Sequence, residues 1–286
     1  MILSASLYQK RRKKMHRNTD LNRELWTFFA LTLGLTYLVF WGPLAVLGIP
    51  GASLSGASGP PWAIALYVLG GFTPSLVAIF LCWRKKTLRA MWKRLNPRTV
   101  NLKWHLAILG VVLLGTLGQL IVIQLLGYAF DSSLFLKRLM MLLPLLILGP
   151  LSEELGWRGY ALDQLQTRWN ALTSSLILGV IWSLWHLPLF YIVGTSQYLY
   201  NISFLGFMLG TTTISILFTW AFNNTGSSIW GAVFFHWIYT YALDTLSVGM
   251  TPPPVDYQWL QYLPYIIIAI VVVAIWRPKR LVQVEK

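Results

Sequence analysis

Apolar residues run along this chain in long blocks, with polar residues gathered mostly between them. Eight blocks stand out, at residues 25–47, 61–83, 104–130, 138–165, 172–193, 202–222, 227–246 and 260–276. Each reaches or nearly reaches the ~20 residues an α-helix needs to cross ~30 Å of hydrocarbon. The pattern predicts an all-α polytopic membrane helix bundle with about eight transmembrane helices. The fourth block is long enough to tilt or to protrude, so its charged end suits a water-filled cavity. Turn signals separate the blocks: residues 50–60 are Gly/Ser-rich and uncharged, and Asn223-Asn224-Thr225-Gly226 precedes the seventh. No strong internal repeat is visible, which argues against a transporter built from duplicated halves.

Composition agrees with the pattern. The 286 residues are 56% hydrophobic and 11% charged, where a soluble domain carries about 25% charged residues. Three segments follow: a basic N-terminal segment at 1–24, the helix bundle at 25–276 and a short basic tail at 277–286. A single cysteine, Cys82, rules out intramolecular disulfides and cysteine-based metal clusters. The net charge of +14 does not point to nucleic acid, because no soluble domain is present to carry such a function. The basic residues instead flank spans, from Lys10 to Arg23 before the first and from Arg84 to Lys103 after the second. Such clusters set topology and contact anionic lipids. Arg168 and the tail residues Arg277, Lys279 and Arg280 fall on even-numbered connections as well, which predicts a multi-pass protein of the cell membrane with both termini cytoplasmic. The connection holding Asp131, Lys137 and Arg138 is a mild exception. The first block exceeds the 7–15 apolar residues of a signal peptide and is read as a retained helix, although Gly51-Ala52-Ser53 resembles a cleavage site.

Ionisable residues stranded inside the apolar blocks carry the candidate chemistry. Only nine acidic residues exist, and two of them, Glu153 and Glu154, sit side by side after the apolar run 139–151. Charge at membrane depth costs roughly 2.5–3.5 kcal/mol per residue and is read as functional by default. On a helix, neighbours point about 100° apart, so the two carboxylates cannot serve one spot. Arg158, four residues after Glu154, stands in the favourable orientation for an ion pair. Arg158 is therefore expected to neutralise Glu154 and to leave Glu153 facing the cavity as a general base or acid. The alternative is a purely structural ion-pair cluster near a helix end. His186 lies within the fifth block, with Pro188 expected to kink the helix nearby, and His236 lies mid-way along the seventh, one turn before Thr240. A lone histidine on an apolar face is more often a packing residue. Glu153, His186 and His236 together, from three helices, could ligand a divalent metal such as zinc with water at the open position. Alternatively, Glu153 and one histidine could activate water while the other stabilises an oxyanion. No His-Glu-x-x-His and no Gly-x-Ser-x-Gly is present, which removes the ordinary zincin and serine-elbow readings.

At these residues the chain resembles the CPBP family of type II CAAX prenyl endopeptidases and bacteriocin-processing or immunity proteins. The family pattern is Glu-Glu-x-x-x-Arg, then an aromatic residue (usually phenylalanine) followed by x-x-x-His, then His-x-x-x-Asn. It is met by Glu153, Glu154 and Arg158, by Trp182 and His186, and by His236. Thr240 stands where the family has asparagine, and Trp182 replaces the usual phenylalanine. The resemblance covers residues 139–246 and implies an eight-span α-helical fold with endoproteolysis at or within the membrane. It implies that Glu153 activates water with His186, and that His236 supports the oxyanion or ligands a metal. It leaves the need for metal open. The expected substrate is a membrane-associated peptide or protein, prenylated or a leader peptide. A non-catalytic immunity or scaffold protein, and a proton-coupled transporter, are the competing expectations; the motif order favours the peptidase.

Overall fold

The computed structural model describes residues 23–51, 59–127, 147–248 and 255–282. Among these the chain is helical, with no strand. Helix α1 (Arg23–Leu47) contains a π-helical turn at Thr36–Phe40 and ends on Gly48, whose φ of 63° supplies the left-handed stop. Helix α2 (Pro61–Arg84) starts with proline in its first turn, where the missing N–H costs nothing. A short α3 (Leu88–Lys93) leads to α4 (Leu102–Leu125), capped by the Asn101 side chain on the Lys103 amide. Helix α5 begins at Leu148–Gly156, passes through a π-helical stretch at Trp157–Leu162 and closes at Asp163–Gln166. Then come α6 (Ala171–Trp185), α7 (Ser196–Leu199), α8 (Phe204–Asn224), α9 (Ile229–Val248) and α10 (Leu263–Trp276).

Among the described residues, five helices are long and apolar enough to cross a membrane: Arg23–Leu47, Pro61–Arg84, Leu102–Leu125, Phe204–Asn224 and Tyr257–Trp276. They correspond to the first, second, third, sixth and eighth apolar blocks. The other three blocks depart from a plain span. The start of the fourth, at 138–146, lies outside the described residues. The seventh forms the 20-residue helix α9, but its polar and ionisable positions make it less apolar. The fifth, expected as one span over 172–193, forms only a 15-residue helix that stops at Trp185. His186 is the C-cap, and Leu187–Phe190 continue as a 3-10 turn. The expected kink is thus a helix end. Proline at 188 disfavours the α conformation at Leu187 and offers no backbone donor. As a result His186 sits on the rim of a helix, rather than deep within one.

The connections that carry the basic residues share one end of the bundle. Lys85 at the end of α2 pairs with Glu24 at the start of α1, and its ammonium lies 5.6 Å from the Tyr160 ring centre. Arg94 reaches Asp163 at 2.5 Å and the Ser227 carbonyl at 2.8 Å. The Ala171 amide donates to the Lys279 carbonyl at 3.1 Å. Both ends of the described chain therefore lie on the same side.

Two close helix approaches position the candidate chemistry. A Cβ on Gly156 would come within 2.4 Å of the Pro74 carbonyl oxygen, so α5 packs backbone to backbone on α2. Ser75 fastens the contact by donating to the Leu151 carbonyl at 3.1 Å. A Cβ on Gly179 would meet the Cα of Thr212 at 2.6 Å, which lets α6 lie tight on α8 and brings Trp182 against Phe218. Small residues at such crossings are the usual device where helices cannot rely on hydrophobic burial to associate.

Candidate active site

Helix α5 presents its paired carboxylates in different directions, and their surroundings differ accordingly. Glu154 is wholly buried, and so is Arg158. The Arg158 Nη1 donates to Glu154 Oε1 at 2.8 Å. The guanidinium is held between two aromatic faces, 4.7 Å from the Trp182 ring centre and 4.5 Å from that of Phe218. These faces stabilise a desolvated cation by up to about 2 kcal/mol. Glu153 is only partly buried. Its Oε2 accepts a 2.6 Å hydrogen bond from the Trp182 indole N–H.

The same Glu154 oxygen also receives a 2.8 Å hydrogen bond from His236 Nδ1, across from α9. A carboxylate paired with arginine can only accept, so Nδ1 of His236 carries the proton and Nε2 is left with its lone pair. His186 has the same tautomer for a different reason. Its Nδ1 lies 2.9 Å from the Trp182 carbonyl oxygen, another group that can only accept. Both imidazoles thus offer an unprotonated Nε2 when neutral.

Trp182 touches all three candidate catalytic residues. Its indole bonds Glu153, and its ring centre is 5.8 Å from His186 and 5.4 Å from His236. Trp185 and Phe207 pack on His186 at 4.5 and 5.2 Å between ring centres. Trp185 is fixed in turn by its N–H, which is shared between the Thr36 and Thr73 hydroxyls at 2.9 and 3.0 Å. Thr240 stands one turn beyond His236 on α9 and is partly buried.

The donor set does not suit a metal centre as arranged. Among the described residues no three His, Cys, Asp or Glu side chains converge closely enough to hold an ion.

Two contributions were not legible in the sequence. Phe218 on α8 sandwiches Arg158 and packs 5.3 Å from His236, yet nothing distinguishes it from the other aromatics of its apolar block. The Trp182–Glu153 bond was hidden because the aromatic position of the family motif is usually filled by phenylalanine, which has no donor. The chance of a bond lay in the substitution itself.

A membrane helix bundle that carries a glutamate and two oriented histidines around one indole has the equipment of an intramembrane hydrolase. Comparison with known proteins gives the family. Residues 135–242 match the model described as "Type II CAAX prenyl endopeptidase Rce1-like". The chain is 30% identical over 237 residues to "CAAX prenyl protease 2" of Methanococcus maripaludis, covering 77% of this chain and 84% of that one. The chain belongs to the type II CAAX prenyl endopeptidase (Rce1-like) family, and it is a membrane-embedded peptidase.

Proposed function

We propose that this protein is an intramembrane endopeptidase that hydrolyses a peptide bond in a membrane-associated substrate, with a prenylated C-terminal peptide as the first candidate class. The relative from M. maripaludis is named for such a substrate. The observation that carries the reading is the contact of one indole with Glu153, His186 and His236. The basic end of the bundle is read as cytoplasmic, where positive charge is retained.

In the proposed mechanism the Glu153 oxygen not bonded to Trp182 accepts a proton from water. His186 Nε2 accepts a hydrogen bond from the other water hydrogen and aims the oxygen at the scissile carbonyl. Attack forms a C–O bond and moves the carbonyl electron pair onto oxygen. His236 takes a proton at Nε2 from bulk water before the attack, donates it in a hydrogen bond to that oxyanion and keeps it through the step, while Glu154 balances the imidazolium charge. Collapse breaks the C–N bond, and Glu153 returns its proton to the departing amine. Asparagine at 240 would offer two donors with longer reach, where threonine offers one short hydroxyl. That departure favours the second reading, a non-catalytic binding protein of the same fold.

The test is hydrolysis by purified protein of a farnesylated peptide ending in Cys-a-a-X, its unprenylated twin and a leader peptide. Cleavage of the farnesylated peptide is expected, lost in Glu153→Ala, His186→Ala and His236→Ala with the fold retained, and unchanged by a chelator. Equal turnover by all three variants would reject the mechanism. Absence of cleavage of all three peptides by the wild type would favour the binding protein.

Trp182 supplies a finer prediction. Hydrogen bonds to charged groups contribute ~1.5–3 kcal/mol. Trp182→Phe keeps the ring and removes the donor, so kcat is expected to fall about 10-fold or more with KM unchanged, since 1.4 kcal/mol is tenfold. An unchanged kcat would reduce Trp182 to a packing residue.

A further inference from the structure

The basic end of the bundle holds a second polar feature, remote from Glu153. A pocket of about 480 Å³ is lined by the α5–α6 connection, the end of α8 and the C-terminal tail, including Arg168, Trp169, Asn170, Asn223, Lys279 and Arg280. Three of its lining residues are cationic and none is acidic.

The tail is stapled in place by its own backbone. The first amides of α6, those of Ala171 and Leu172, donate to the Lys279 and Pro278 carbonyls at 3.1 Å each. Asn223 donates to the Arg280 carbonyl at 2.8 Å, and Asn224 to the Leu281 carbonyl at 2.6 Å. The Leu281 side chain is fully buried. Arg277 and Leu281 adopt φ of 61° and 50°, an unfavourable region for residues with a Cβ, and the bonds hold them there. With the tail backbone held in this way, the exposed residues Lys279 and Arg280 line the pocket from the tail side. The α6 amides are consumed as well, so the helix end contributes no free donor from these two residues.

Arg168 lines the same pocket, and no acidic residue lines it among the described residues. Its Nη1 and Nη2 have no hydrogen-bond partner among the described residues. Its closest described aromatic neighbour, Trp169, lies 6.0 Å away, too far to replace a hydrogen bond. A planar guanidinium with two idle terminal nitrogens matches an anion with several oxygens, and phosphate most of all. Trp169 at the same site is 38% exposed, as suits an aromatic at headgroup level.

We propose that this pocket binds a phosphate group, that of an anionic glycerophospholipid in the leaflet beside the tail, through Arg168, Lys279 and Arg280. The site locks the tail to α6 and α8 when occupied.

The test uses the full chain in nanodiscs of phosphatidylcholine alone or with phosphatidylglycerol, and separately with inorganic phosphate at matched ionic strength. Phosphatidylglycerol is expected to raise the melting temperature by about 2–4 °C, the shift that roughly 1 kcal/mol of ligand stabilisation produces in a chain of this size. The gain should vanish in Arg168→Gln/Lys279→Gln/Arg280→Gln. It should persist in Arg23→Gln/Arg84→Gln/Lys85→Gln, which removes equal charge from the neighbouring patch at the same end. If the first triple variant fails to fold, Lys279→Gln/Arg280→Gln keeps Arg168 and should lose part of the gain. An equal gain in inorganic phosphate supports the phosphate site but reassigns its source to the free anion. No gain in wild type, or the same gain in the pocket variants, overturns the proposal.

Discussion

Glu153→Gln is expected to lower kcat for peptide hydrolysis by ~10²–10⁴-fold, the range by which positioned general bases accelerate reactions, while leaving KM and the melting temperature unchanged. The substitution is nearly isosteric. A glutamine oxygen can accept the Trp182 indole N–H that now meets Glu153 Oε2 at 2.6 Å, so the local geometry has reason to persist. The amide nitrogen then occupies the other position, where it cannot take a proton from water. Because Glu153 and His186 would act on one water, Glu153→Gln/His186→Ala should be little worse than the slower single variant, as is usual for groups working as a unit. Single-turnover rates at saturating substrate decide the matter. A loss smaller than tenfold would move the base elsewhere, and strictly additive losses would separate the two residues.

How much of this site was legible depended on the range over which its interactions act. The Glu154–Arg158 pair is local, four residues apart on one helix, and its spacing predicts the 2.8 Å contact that the structure contains. The different settings of Glu153 and Glu154 follow from the same helical geometry. The contact between His236 and Glu154 spans 82 residues. Spacing along the chain does not encode it, and only the co-occurrence of stranded ionisable groups suggested that α5 and α9 meet. Span counting worked where composition alone decides, as in α2 and α4. It failed for residues 172–193, where hydrophobicity continues past His186 but Pro188 ends the helix through backbone sterics, to which a hydropathy pattern is blind. Phe218 was illegible because an aromatic that sandwiches a cation looks the same in sequence as one that packs a core.

Arg158→Met is expected to destabilise the protein by ~3–5 kcal/mol, the usual cost of removing one partner of a buried ion pair. Arg158 and Glu154 have no exposed side-chain surface, so water cannot replace the lost partner. The loss also empties the space between Trp182 and Phe218 of its cation. Methionine preserves much of the volume, which leaves charge as the main variable. Glu154→Gln/Arg158→Met should therefore recover most of the stability, since a neutral pair of similar shape avoids the desolvation of two ions. Activity should not return with it. Glutamine at 154 can still hold His236 in place, but it cannot balance the charge of an imidazolium. The hydrogen bond to the oxyanion would then weaken, and kcat should stay down by about 10²–10³-fold, as when an oxyanion donor is removed. Thermal unfolding in detergent beside single-turnover hydrolysis separates the two effects. A stable and fully active double variant would show that Glu154 serves packing alone, and a single variant losing less than ~1 kcal/mol, the scale of an exposed pair, would show that the pair is not desolvated as the structure describes it.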